Sequence, residues 1–197
     1  LFNIQEKLDA TTKSTIDPVL NIFVKEFNRK MGYDDKKPEI AEIERYFDNK
    51  GKYEFFKEEY QKRFGETWEN GRKSILLKLQ RVAEIMAEID GIPQATAFDN
   101  IKAQIANYKI DTDGFVALVK EHLDKQQPGS RFIFFVDEVG QFIGKDVHRM
   151  LSLQTIAEGL SDKTNGQSIV IVTSQMDIDA TLGNLDKQQE YDFSRIQ

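Results

Sequence analysis

Two short apolar runs, FIFFV at 132–136 and SIVIV at 168–172, constrain this chain more than any other feature. Each has strand length, and each is rich in β-branched or aromatic residues. Between them, Asp146 to Leu160 carries Met150, Leu153, Ala157 and Leu160 at helical spacing, followed by the loop SDKTNGQ. Strand, helix, strand is a βαβ unit: its strands run parallel, its crossover is right-handed, and its functional loops gather at the carboxyl ends of the strands. A continuous apolar run such as Phe132–Val136 further predicts a strand covered on both faces.

Asp137 and Glu138 follow that run at its carboxyl end. In P-loop NTPases an apolar strand delivers an Asp that holds nucleotide-bound Mg²⁺, usually through water, and a neighbouring Glu prepares the attacking water. Asp137 and Glu138 stand in that Walker B pattern. Because Mg²⁺ keeps several waters, one protein carboxylate plus phosphate oxygens makes a sufficient site. The alternative is a strand that stops at two solvated acids. The second run ends in Thr173, Ser174 and Gln175, where a P-loop ATPase places a sensor of the γ-phosphate or of the attacking water. Gln175 is the first choice for that role, ahead of Thr173 and Ser174; the competing reading is a polar loop that caps the next helix, MDIDATLG.

A phosphate loop of the form G-x-x-x-x-G-K-[ST] is missing. The nearest string, GETWENGRKS at Gly65 to Ser74, has one residue too many, places Arg72 between Gly71 and Lys73, and follows no apolar strand. The chain opens at Leu1 in what reads as a strand, Leu1 to Ile4, and a phosphate loop precedes that strand in P-loop order. The sequence therefore reads as a piece of a longer polypeptide.

Between about 11 and 127 the pattern is helical throughout. Ile16, Val19, Leu20, Phe23, Val24, Phe27 and Met31 share one face, with Ser14, Thr15 or Asp17 as cap and Pro18 in the first turn. Ile75, Leu76, Leu79, Val82, Ala83, Met86 and Ile89 form the most regular stripe. The expectation is an α/β fold, a partial P-loop (AAA+-like) parallel sheet formed by 1–10 and 128–197, interrupted by an all-helical insertion at 11–127. A net charge of −6 gives no support to a surface built wholly for nucleic acid, and the absence of cysteine excludes disulfides and thiolate chemistry. No apolar stretch has the length of a membrane span, and a cytoplasmic location is expected.

Other constellations are weaker. KIDTDGFVALVK imitates a calcium loop but puts Lys109 and Lys120 at ligand positions, so Asp111 reads better as a helix cap. His122 and His148 lack zinc spacing, and His148 reads as a surface residue. YEFFKEEYQKRFGETW interleaves rings with cations, but its glutamates favour core-facing rings with a salt-bridged outer side over a nucleic-acid surface. A magnesium nuclease on Asp137 and Glu138 lacks further converging acids.

FFVDEVGQFIG, MLSLQTIAEGL, VIVTSQMDIDATLG, DFSRIQ and the opening LFNIQEKLDATT resemble the large P-loop ATPase of BREX phage-resistance systems, the BrxC family. The resemblance is most specific over 132–197 and covers the helical stretch by position only. It implies an ATP-binding core of AAA+ type with ATP and Mg²⁺ as cofactors, Asp137 at the metal and Glu138 as the catalytic glutamate. It also implies a place in multi-protein defence, with other defence proteins and further copies of the chain as partners, and DNA reached indirectly or through regions outside this sequence. Many AAA+ proteins carry a polar residue on the strand beside Walker B that restrains the catalytic Glu; Asn3 is the candidate, against a simple turn residue. Arg195 is weighed as a trans-acting arginine finger against a solvated surface Arg. The competing function is a non-catalytic helical interaction module on a degenerate core.

Overall fold

The computed structural model describes residues 2–4, 17–144 and 146–174. In chain order these form β1 (Phe2–Asn3), α1 (Pro18–Met31), α2 (Pro38–Asn49), α3 (Tyr53–Phe64) and α4 (Trp68–Gly71). A 3₁₀ segment follows (Arg72–Leu77), then α5 (Leu79–Asp90), α6 (Gln94–Ala106) and α7 (Thr112–Asp124). The last elements are β2 (Phe132–Asp137), α8 (Val139–Ile143), α9 (Val147–Lys163) and β3 (Ser168–Val172). The chain divides into two compact units, residues 1–24 with 110–197, and residues 25–109.

The first unit is an α/β structure on a three-stranded parallel sheet in the order β1-β2-β3. Carboxylates cap α1, α7 and α9. Asp17 accepts from the Val19 and Leu20 N–H groups at 2.9 and 3.0 Å, Asp111 from Gly114 N–H at 2.8 Å, and Asp146 from His148 and Arg149 N–H at 3.1 and 3.2 Å. Asp111 is thus the helix cap that the sequence suggested, and His148 is exposed on α9.

Alternation along β2 sends Phe134 and Val136 to one face, where Phe134 meets Phe23 of α1 and Phe115 of α7 at ring distances of 5.2 and 5.8 Å. Ile133 and Phe135 share the opposite face with Ile169 and Ile171, to which they are register partners. Here the expectation of a strand covered on both faces is corrected, because Ile133 is 49% exposed and Ile171 38%. The cause is topological. The two connections cross the sheet in the same direction, so two right-handed crossovers deliver their helices to the same side.

The expected boundaries also move. α7, placed with the insertion when the break was set at 127/128, belongs to the sheet unit, as does the start of α1 as far as Val24. Phe23 and Phe115 account for this, since both pack on Phe134 and on each other.

The second unit is helical, and no strand occurs between 17 and 127 among the described residues. Its core stacks Phe47 on Phe56 at 4.2 Å, with the Trp68 ring edge-on to Phe56 and Tyr60 at 4.9 and 5.3 Å. Tyr53, Phe56, Tyr60 and Trp68 are buried, while Arg63 ties Glu59 and Glu88 together on the outside at 2.8 and 2.6 Å. The rings between 53 and 68 are core, not a stacking surface. Glu44, fully buried, accepts from the Tyr53 hydroxyl, the Trp68 indole and the Arg72 guanidinium at 2.9, 2.6 and 2.7 Å, and from the Asp34 N–H. A buried carboxylate persists only when donors satisfy it in this way.

The stripe expected from Ile75 to Ile89 is interrupted. Ser74 (φ −117, ψ 35) and Lys78 (φ −126, ψ 13) leave helical geometry, and the 3₁₀ segment between them turns only one residue in three toward the core. Ile75 is buried, while Leu76 and Leu77 are 69% and 89% exposed.

Candidate functional site

The parallel register fixes what meets at the sheet's carboxyl edge. Val136 pairs with Val172 and Asn3 with Asp137, so Asn3, Asp137 and Thr173 form a row across the ends of the three strands. Backbone bonds close the row. Ile4 N–H donates to the Asp137 carbonyl at 3.4 Å, Thr173 N–H to the Val136 carbonyl at 3.0 Å, and Val139 N–H to the Thr173 carbonyl at 3.0 Å.

Side chains add a second layer. The Thr173 hydroxyl donates to Asp137 Oδ1, and Glu138 N–H reaches both Asp137 Oδ1 at 3.0 Å and Thr173 Oγ1 at 3.4 Å. Glu138 adopts left-handed backbone angles, φ 59 and ψ 35, and heads α8 directly. For a residue with a Cβ that conformation costs about 1 kcal/mol or more, and it persists where surrounding bonds over-determine it. Asp137 and Glu138 are both half-buried at this edge.

The sequence placed Asp137, Glu138 and Thr173 at strand ends, and the fold brings these three together. Ser174 lies one residue beyond, also half-buried. Asn3 takes the neighbouring-strand position anticipated for it. Gln175, first choice as phosphate sensor, and Arg195 lie outside the described residues. The direct Thr173–Asp137 bond was not anticipated; its signal was that each residue immediately follows the last position, Val136 or Val172, of the β2–β3 pairing.

Chemically, Asp137 takes its hydrogen bonds among the described residues from a hydroxyl and an amide, both neutral donors. Among the described residues no Arg or Lys is bonded to it, and neutral donors leave a carboxylate's charge in place. The described residues contain no cluster of three or more His, Asp or Glu able to cage a metal. One carboxylate beside phosphate oxygens suits Mg²⁺, a hard ion that keeps its waters, so the donor set fits that ion when it arrives with a nucleotide.

Gly65 to Ser74 supplies no phosphate cradle. Gly65 is the left-handed cap of α3 (φ 70), and the segment continues into α4 and the 3₁₀ turn without a preceding strand. Gly71 is small for packing: a Cβ there would lie 2.4 Å from the Tyr60 hydroxyl oxygen. No helix among the described residues is long and apolar enough to cross a membrane. No family model matches the chain, and no solved structure matches it.

Proposed function

We propose that this chain is part of the core of a P-loop ATPase of AAA+ type, working in anti-phage defence as the resemblance to the BREX ATPase suggests. The observation that carries the reading is the row at the sheet's carboxyl edge, in which an acid pair after an apolar parallel strand lies against the polar end of the next strand. Asp137 would hold the water shell of a nucleotide-bound Mg²⁺, and Glu138 would orient and polarise the attacking water. Ser174 and Gln175 follow Thr173 toward the position from which a γ-phosphate is sensed, with Gln175 as the residue of choice.

Bound Mg²⁺ would neutralise charge developing on the phosphates; the phosphate loop that cradles them belongs, in this reading, to sequence preceding Leu1. Other defence proteins and copies of the chain are the proposed partners, with DNA contacted indirectly and the location cytoplasmic. The test is Glu138→Gln in the full-length protein, which should retain ATP binding and lose most turnover. Undiminished hydrolysis would remove the assignment.

A second reading, a non-catalytic interaction module, draws on Leu76 and Leu77, exposed side by side on the helical unit. It predicts that no phosphate loop precedes Leu1 in the parent gene, and reading that sequence separates the two.

A further inference from the structure

The bonds around Thr173 exceed what a strand terminus needs. Its carbonyl takes the Val139 N–H, its hydroxyl oxygen lies within reach of the Glu138 N–H, and its hydroxyl proton goes to Asp137 Oδ1. The residue that follows β3 thus touches three consecutive residues after the end of β2's apolar run, across the position where Glu138 is held left-handed. A hydroxyl is the suitable group for this task, because it orients the carboxylate while adding no positive charge that would compete with a cation.

We propose that Thr173 is the positioning residue of the acid pair: it sets the Asp137 carboxylate and the Glu138 turn for a divalent cation, and does not itself sense the phosphate. The proposal rests on the reading of Asp137 as a cation site and deepens it. In that arrangement the side chain of Asp137 is already oriented before the ion arrives, so no rotamer has to be selected on binding. Phosphate sensing then falls to residues beyond Thr173.

The experiment uses the ¹⁵N-labelled full-length protein titrated with MnCl₂ in the presence of a non-hydrolysable ATP analogue, reading paramagnetic broadening and hydrogen exchange of the Glu138 and Val139 amides. Wild type should show both amides broadened and protected, and Asp137→Asn should lose the broadening. Thr173→Val, which keeps the β-branched shape, should raise the Mn²⁺ midpoint and the exchange rate of Glu138 roughly tenfold each, the loss expected for one hydrogen bond to a charged group. Thr173→Ser, which restores the hydroxyl, should bring both back. A Thr173→Val midpoint equal to wild type, with broadening present in both, overturns the proposal while leaving the cation reading in place. An absence of broadening in wild type overturns the cation reading and the proposal with it.

Discussion

The indole N–H of Trp68 donates to the Glu44 carboxylate at 2.6 Å, and neither side chain is exposed. Tyr53 and Arg72 converge on the same group, so the helical unit is organised around a charge that cannot reach water. Glu44→Ala should destabilise this unit by about 3–5 kcal/mol, because it strands Arg72 and three neutral donors together. Trp68→Phe, which removes one donor and little volume, should cost less, about 1–3 kcal/mol. Denaturant unfolding followed by circular dichroism ranks the two, and equal losses would contradict the hub.

Alkaline pH should act on the same region. Burial, followed by the charge of Glu44 and the hydrogen bond to it, raises the Tyr53 phenol far above its ordinary value; burial and the bond to Asp48 do the same for Tyr33. Groups raised in the folded state contribute stability that is present in full below the unfolded pKa and lost as pH climbs above it. The loss should therefore begin near pH ~10, the ordinary tyrosine value, and deepen toward the folded pKa values. Melting temperatures across alkaline pH check this, and Tyr53→Phe should flatten the decline.

Gly71→Ala tests close packing. The added methyl would fall within 2.7 Å of the Tyr60 Cε1 and Cζ atoms, against a ring buried between Phe56 and Trp68. A loss of about 1–3 kcal/mol is expected, and a neutral result would show that α4 can shift away from α3.

Glu138→Gly should separate stability from chemistry. Glycine accepts φ 59 without penalty, so the chain should gain about 1 kcal/mol and melt slightly higher. In the full-length protein the same change removes the carboxylate proposed to prepare water, and turnover should fall as far as with Glu138→Gln. A destabilised glycine variant would mean that the Glu138 side chain makes a structural contact worth more than the strain.

The exposed side chains of Ile133 and Ile171 give a fifth test. Ile133 and Ile171 belong to one apolar patch, and an apolar fluorescent dye should bind it in the isolated chain. Ile133→Thr combined with Ile171→Thr should reduce the dye signal while leaving helix content intact. If the signal is unchanged, the dye is reading Leu76 and Leu77 instead.

The parts of this fold legible in the sequence were those set by local pattern. FIFFV and SIVIV became strands, Asp17 and Asp111 became caps, and the rings of 53–68 turned inward because period and hydrogen-bonding chemistry are local properties. What escaped was set by distant partners. Nothing near Phe115 says that it will pack on Phe134, so α7 was assigned to the wrong unit. Leu76 fits the helical stripe until Ser74 and Lys78 leave helical geometry. An apolar run shows that a strand is hydrophobic, but only the order of strands shows which face its helices reach. At the site, the identities of Asp137, Glu138 and Thr173 were readable and their mutual bonds were not, since those depend on register.

That register acts as a ruler with no slack. Advancing β3 by one position against β2 would exchange its inward and outward rows and carry the Thr173 hydroxyl some 3.3 Å along the strand, out of reach of Asp137. Insertions and deletions should therefore be tolerated in the turn between α7 and β2 but not within 132–137 or 168–173. Length there is as much a part of the chemistry as the acids themselves.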